Sequence, residues 1–364
     1  MQTLEDITRF PNKLLKLSQE SLSDMRYTTI TSPRINLLPP VGNHYQEGEA
    51  ETELHLSPES IPSSAIPLEP DLTKSVVVGT DTTNIDLGET SNGILFAIRG
   101  TTVWTEERRY YYTRYGPYII LATERNKQTL YNNFIQGLLS VKQTYKAPDQ
   151  AQIPNAFRSV FERAIQKSVC DKFEDSIILW DGPLTAWTAD PTYYAAQRIL
   201  LTAKDRNNTV MGLSKHTALY MGGRCITSLV DDDSQPCMIP VKCSSPLGEG
   251  ENAGLLGRVY AAKLARGSCT FRLDIDRTLT EEERVTGVRR LIGNDLVVES
   301  YPETLRLAHI FSRFNAMEVI GLQRYVSEFY KLRISKRPDI RQIIFGPFSG
   351  RGGVMEGPIY DAFV

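Results

Sequence analysis

The stretch Ser176–Trp187, SIILWDGPLTAW, constrains this chain more than any other. Ile177, Ile178, Leu179 and Trp180 run without a polar break into Asp181-Gly182-Pro183. A continuous apolar run ended by a turn signal predicts a strand buried on both faces. Asp181 then stands where that strand emerges, and Gly182-Pro183 turns the chain away. A carboxylate at the mouth of a core strand must be met by water, a partner or a metal. It is either a turn-former or a functional acid.

The remaining bulk properties narrow the class. A chain of 364 residues with 41% hydrophobic content can build one large domain or two ordinary ones. No apolar run is long enough to cross a membrane, and the amphipathic start MQTLEDITRFPNKLLKLSQ carries no signal-peptide core. The five cysteines (Cys170, Cys225, Cys237, Cys243 and Cys269) form no Cys-x-x-Cys pair and are odd in number. Reduced thiols in a cytoplasm fit them better than zinc or a disulfide framework. A net charge of −2 is no global footprint of a nucleic-acid binder. The distribution is less even. Leu37 to Thr73 holds six Glu and one Asp with no Lys or Arg. Arg313 to Arg351 holds eight basic residues against Glu318, Glu328 and Asp339, as a groove lining or a solvated helix face would.

In chain order, residues 3–24 read as an amphipathic helix interrupted at Pro11. The chain divides into a helical segment 1–31, a Pro/Ser/Glu-rich acidic arm 32–72, a main domain 73–336 and a loop-rich tail 337–364. The main domain opens with a short strand, Ser75–Gly79, that ends in Thr80-Asp81. A longer strand, Gly93–Trp104, follows, with Gly100 as a bulge. Tyr-rich Arg109–Tyr115 and apolar Tyr118–Thr123 are two further strands or one bent one. Helices are predicted at 126–142 and Pro154–Cys170, then the opening strand, a helix at Thr192–Arg206 and a strand at Thr209–Leu213. A three-strand meander followed by alternating helix and strand gives an α/β mixed sheet with helices on its faces, the order of an RNase H-like core. Residues 221–300 add a hairpin, Leu255–Leu264 with Ser268–Asp274. A helix at 280–292 with a Thr280/Glu283 capping box and a strand at Asp295–Ser300 follow. The C-terminal helices begin at Pro302 and run to about Leu332, with a break near Phe314.

Two acids sit at matching points. Asp81 ends the first strand of the meander and Asp181 ends the strand after the helices. In neighbouring strands their carboxylates would emerge together, and two close acids do not both stay ionised cheaply without a cation. Oxygen ligands of this kind suit Mg²⁺ or Mn²⁺, and a pair of such ions can activate water and steady the leaving oxygen in phosphodiester cleavage. Glu162, at the edge of the helix before the opening strand, is the candidate third acid. The plainer alternative for it is an ion pair with Arg158 one turn earlier. Lys215, after the Thr209 strand, could hold a phosphate or the attacking water, or be a surface lysine. Tyr301 and His309 flank the start of a C-terminal helix, where His309 alone would be a structural histidine.

With these residues in place the sequence resembles the NurA nucleases. The resemblance spans roughly Ser75 to Leu332 and rests on VVVGTD, FRSVFERA, ILWDGPL, GLSK and YPETLRLAH in that order. It implies metal binding by Asp81, Glu162 and Asp181, with Tyr301 and His309 completing the site and Lys215 matching the family's lysine. It further implies a Mn²⁺- or Mg²⁺-dependent deoxyribonuclease, a 5′-to-3′ exonuclease and single-strand endonuclease in DNA-end processing and double-strand-break repair. Such proteins look like homodimers that receive DNA in a central channel and work with a HerA-type hexameric ATPase. The chain departs from the family pattern at Asp81-Thr82-Thr83, where Asp-Gly-Ser is usual, and at Pro183, where some members carry another acid. Asp86 and Glu89 are the other acids near the first motif. A catalytically inactive relative that binds DNA or an ATPase is the alternative these departures allow.

Overall fold

A computed structural model describes residues 9–23, 25, 29–32, 54–56, 64–187, 191–231, 234–242, 253–267 and 269–336. Most of the acidic arm and the whole tail from 337 lie outside the described residues, as do the side chains of Arg333 and Lys336. The basic groove lining expected of that region therefore rests on Arg313, Arg324 and Lys331 alone.

The meander is built from three long strands. They are β1 (Val77–Glu89), β2 (Gly93–Glu106) and β3 (Arg109–Thr123), paired antiparallel in sequence order. β1 is much longer than Ser75–Gly79. Thr80, Thr82, Thr83 and Ile85 are β-branched and continue the ladder with β2, so Asp81 lies within the strand rather than at its end. The two Tyr-rich pieces form the single bent strand β3. Its ladder with β2 slips between Ile98 and Gly100, where three steps of β3 oppose two of β2.

Helices α2 (Lys127–Leu139) and α3 (Ile153–Lys172) lead to β4 (Ile177–Asp181), the opening apolar strand. Then come α4 (Pro191–Asp205) and β5 (Thr209–Ser214). β4 pairs parallel to β1 on one edge and to β5 on the other. The order β3-β2-β1-β4-β5 is thus a mixed sheet with the RNase H-like topology that the chain order predicts. The expected hairpin extends that sheet rather than standing apart. β7 (Gly257–Lys263) and β8 (Phe271–Asp276) pair antiparallel, β8 joins β5, and β6 (Cys237–Val241) joins β7.

The alternation of β1, β4 and β5 divides the core in two. Val78, Ile178, Trp180 and Val210 pack on one face against α2, α3 and α4. Val77, Ile177, Leu179, Met211 and Leu213 face the other way. They meet Val288 and Leu291 of α5 (Glu281–Asn294) and Leu305 of α6 (Glu303–Ser312). The Thr280/Glu283 capping box is formed as expected. The strand expected at Asp295–Ser300 shrinks to Val297–Val298, paired with Tyr301–Pro302. Pro302 is the N-cap of α6 rather than its first residue. Helix α7 (Ala316–Tyr330) is separated from α6 at the break foreseen near Phe314, and Asn315 opens it with a capping box to Glu318.

At the N-terminus, α1 (Arg9–Leu22) carries Pro11 in its first turn, where a missing N–H leaves no bond unmade, so the helix is not interrupted. Ser18 Oγ donates to Ile119 O of β3. Within the arm, Leu54–Leu56 pairs with Leu219–Met221, and Ile66–Pro67 pairs with Cys237 and Met238 of β6.

Candidate active site

The parallel ladder between β1 and β4 runs Val77↔Ile177, Val78↔Ile178, Gly79↔Leu179, Thr80↔Trp180. One step further, Asp81 and Asp181 stand abreast, and the period-two pleat sends both side chains to the α6 face with Val77, Gly79, Ile177 and Leu179. On the next strand Asp181 is opposite Leu213. Lys215 follows two residues on, so the same alternation points it to the same side. Helix α6 closes the site from above. It lies against β1 so closely that a Cβ at Gly79 would sit 2.9 Å from Thr304 O, so a glycine there sets the depth of the helix.

The contacts are dense. His309 Nδ1 is 3.1 Å from Asp81 Oδ2 and 3.5 Å from Asp181 Oδ2. Lys215 Nζ donates to Asp181 Oδ2 at 2.9 Å and lies 3.5 Å from His309 Nδ1. Tyr301 Oη donates to Asp181 Oδ1 at 3.4 Å, and its ring lies 5.7 Å from Lys215 Nζ. Two further groups hold Asp81. Ser312 Oγ donates to Oδ2 at 2.7 Å and the Thr82 backbone N–H to Oδ1 at 2.7 Å. The Arg313 guanidinium stands 3.3 Å from His309 Nε2.

Electrostatics follow from this packing. Burial of Asp181 would raise its pKa, but hydrogen bonding from His309 and the charge and hydrogen bond of Lys215 outweigh it, and the group lies below the usual carboxylate range. The same carboxylates act on His309 in reverse. Hydrogen bonds to Asp181 and then Asp81 push its pKa up to about 9 against the opposing effect of burial. Lys215 and His309 thus supply the cationic partners that two abutting carboxylates require.

Five of the six residues singled out in the sequence therefore meet: Asp81, Asp181, Lys215, Tyr301 and His309. Glu162 does not join that contact set. It sits on α3, which packs on the opposite face of the sheet, 3.5 Å from Arg158 Nη1 and 3.3 Å from Gln166 Nε2. The i,i+4 pair with Arg158 is present. Burial raises the Glu162 pKa beyond what Arg158 and Arg163 offset, and the negative charges of Asp81 and Asp181 add to the rise. Asp86, five residues along β1 from Asp81, also has a raised pKa, from burial and then the charge of Glu89. Ser312 and Arg313 were missed. Their spacing of three and four from His309 on one helix was the signal that could have found them.

Asp81, Asp181 and His309 each offer a ligand atom, all within 4.8 Å of one another. Two carboxylates and one imidazole form a donor set that suits a divalent cation of the Mg²⁺ or Mn²⁺ class. The Lys215 ammonium already stands beside two of these donors, 2.9 Å from Asp181 Oδ2 and 3.5 Å from His309 Nδ1, so the residues present fit a cation.

The turn after Asp181 is fixed from below. Gly182 N donates to Leu213 O, and Leu184 N donates to the fully buried Asp274 Oδ2 at 3.0 Å. Arg272 grips Asp274 with two bonds of 2.8 and 2.9 Å. The turn crosses β5 at Gly212, where a Cβ would meet Gly182 O at 2.5 Å.

Fold and site together define an α/β protein of RNase H-like topology with an Asp–Asp–His centre where the end of β4 meets the middle of the adjacent parallel strand β1. Among solved structures, the chain is similar to the NurA nuclease of Sulfolobus solfataricus at 15% identity, over 73% of this chain and 88% of that one, with a TM-score of 0.48. It is also similar to an endonuclease V of Bacillus subtilis at 11% identity, over 74% and 89%, with a TM-score of 0.35. A second NurA structure matches at 9% identity, over 73% and 91%, with a TM-score of 0.36. No family model and no curated protein matches the chain.

Proposed function

We propose that this chain is a metal-dependent deoxyribonuclease that hydrolyses phosphodiester bonds. The observation that carries this reading is the cluster of Asp81 and Asp181, from adjacent parallel strands, with His309, their ligand atoms within 4.8 Å of one another and Lys215 bonded to Asp181. Asp81, Asp181 and His309 would hold the ion, and Glu162 is the proposed further acid, reached from α3. When bound, a divalent ion of this class lowers the pKa of water and neutralises charge on a phosphate oxygen. The protein's own groups do the rest. Ser312 and Thr82 N–H hold the Asp81 carboxylate in its rotamer. Tyr301 does the same for Asp181. Lys215, displaced from Asp181, is placed to take a non-bridging phosphate oxygen or the attacking water.

The finer reading follows the motif resemblance. It comprises 5′-to-3′ exonuclease and single-strand endonuclease activity in DNA-end processing, Mn²⁺ as the ion, a homodimer, a HerA-type ATPase partner and a cytoplasmic location. Pro183 and Thr82-Thr83 favour the alternative of a catalytically inactive DNA- or ATPase-binding module. Incubation of end-labelled single-stranded DNA, duplex DNA and RNA with Mn²⁺ or Mg²⁺ separates them. The proposal expects degradation of DNA that Asp81→Asn and Asp181→Asn each reduce by about a thousandfold, the loss of several kcal/mol of transition-state stabilisation. No cleavage by the wild type, with DNA binding intact in all three proteins, would establish the inactive module instead.

A further inference from the structure

The Tyr-rich run at the start of β3, Arg109-Tyr110-Tyr111-Tyr112-Thr113-Arg114, has no part in the chemistry above. It is nevertheless placed beside it. Asp81, Thr101 and Arg114 stand abreast across β1, β2 and β3. Register partners share a face, so Arg114 and, two residues back, Tyr112 lie on the α6 side of the sheet. Two strand spacings put Arg114 about 10 Å from Asp81. Helix α6 lies along β1, with His309 on the flank that reaches Asp181 and Phe311 on the flank that reaches β3. There Phe311 meets Tyr112, ring centroids 4.7 Å apart and planes tilted by 37°. Tyr112 is 57% exposed, an unusual degree for an aromatic residue of a strand, whereas Tyr111 points to the opposite face and stacks on Trp104. Arg114 is exposed on the same strand, 3.9 Å from Glu318 Oε1, and Arg313 is exposed at the C-terminal end of α6, 3.3 Å from His309 Nε2.

From this arrangement we infer that Tyr112 and Phe311 form a stacking platform for the bases of single-stranded DNA flanking the bond to be cut. Arg114 and Arg313 carry the intervening phosphates. The inference rests on the nuclease reading for the identity of the polynucleotide. It does not depend on catalysis. An exposed tyrosine backed by the half-buried Phe311, with arginines beside it, matches a strand of bases and phosphates, because every base has a face to stack and every link a negative charge.

The test is equilibrium binding of fluorescein-labelled dT₁₂ in EDTA, by anisotropy across a range of salt concentrations. Tyr112→Ala with Phe311→Ala is expected to weaken binding about tenfold or more, with the salt dependence of the affinity unchanged. Arg114→Ala is expected to lower the salt slope by about one ion. Tyr112→Phe, which keeps the ring, should bind like the wild type. In parallel, Mn²⁺-dependent hydrolysis of bis(p-nitrophenyl) phosphate, too small to reach the platform, should be unaffected by the double substitution. Wild-type binding in the double variant, or no dT₁₂ binding by the wild type, would overturn the inference whatever the outcome for catalysis. So would a change of sedimentation in the variant with DNA binding retained, which would assign the patch to a contact between copies. Absence of metal-dependent cleavage with platform-dependent binding would instead remove the nuclease reading alone.

Discussion

At the scale of single residues, the site is a balance of two carboxylates against Lys215 and His309. Lys215 is one-third exposed, so its pairing with Asp181 is partly screened. Replacing it by Met should lower the stability of the metal-free protein by about 1 kcal/mol, because two carboxylates then share one cationic partner. Mn²⁺ should raise the melting temperature of that variant at least as much as that of the wild type, since the ion supplies the charge the ammonium did. Thermal melts with and without Mn²⁺ check both statements, and an unchanged melting temperature in the metal-free variant would contradict the balance. The two aspartates were legible in the sequence because a buried run ending in Asp-Gly is distinctive, and a second acid followed the apolar run SVVVG. Glu162 was legible as a helix-edge acid, and its pair with Arg158 was equally legible. What a helix edge does not encode is the direction its carboxylate takes once α3 settles on one face of the sheet. Ser312 was only partly legible for a related reason: its spacing of three from His309 puts it on the same side of the helix, but which carboxylate it meets is set by the crossing of α6 over β1.

Individual elements set the geometry. Asp181 owes its position to the turn over β5, held by Gly212 and the buried Arg272–Asp274 pair. Gly212→Ala should cost about 1–3 kcal/mol, as overpacking against a backbone carbonyl does, and should depress metal-stimulated activity more than the stability loss alone explains. Asp274→Asn leaves Arg272 buried beside a neutral group and should cost about 3 kcal/mol. Urea unfolding of both variants measures these costs, and losses under 0.5 kcal/mol, the range of ordinary surface substitutions, would show that the turn is held otherwise. At the other end of α6, Glu318 caps α7 and pairs with Arg99 at 2.9 Å. Burial alone would raise its pKa, but the Arg99 hydrogen bond, the Asn315 N–H and the guanidinium charges bring it below the ordinary value. A depressed carboxylate contributes stability above its unfolded pKa, about 4.3, and loses it as pH falls through the folded value. Glu318→Gln should therefore narrow the gap between the stabilities at pH 6 and pH 3, as read from denaturant midpoints; an unaltered gap would remove the linkage. The elements themselves were largely readable from periodicity. The misses were at strand lengths, and for a common reason. β1 continues past Gly79 because β2 offers it a partner, and Asp295–Ser300 fails as a strand because only Tyr301–Pro302 pairs with it. Pairing is a tertiary property that a strand's own residues do not state.

For the whole molecule, the order of meander and alternating helix and strand was enough to place Asp81 beside Asp181. That placement required β4 to enter the sheet parallel to β1, and a parallel crossover carrying α2 and α3 is what the helical stretches between them provide. The extension of the sheet by β8, β7 and β6 was not legible, since a hairpin's own pattern does not reveal which edge it will join. The central claim is that the site formed by Asp81 within β1 and Asp181 at the end of β4 takes a divalent cation. The most direct measurement is an anomalous-scattering map from a crystal of the protein equilibrated with Mn²⁺. The account predicts a peak bonded to carboxylate oxygens of Asp81 and Asp181, at about the 2.0–2.2 Å typical of small hard divalent ions. Lys215 Nζ should be withdrawn from Asp181 and an imidazole nitrogen of His309 turned to the ion. A map with no peak there, and Lys215 still bonded to Asp181, would contradict it.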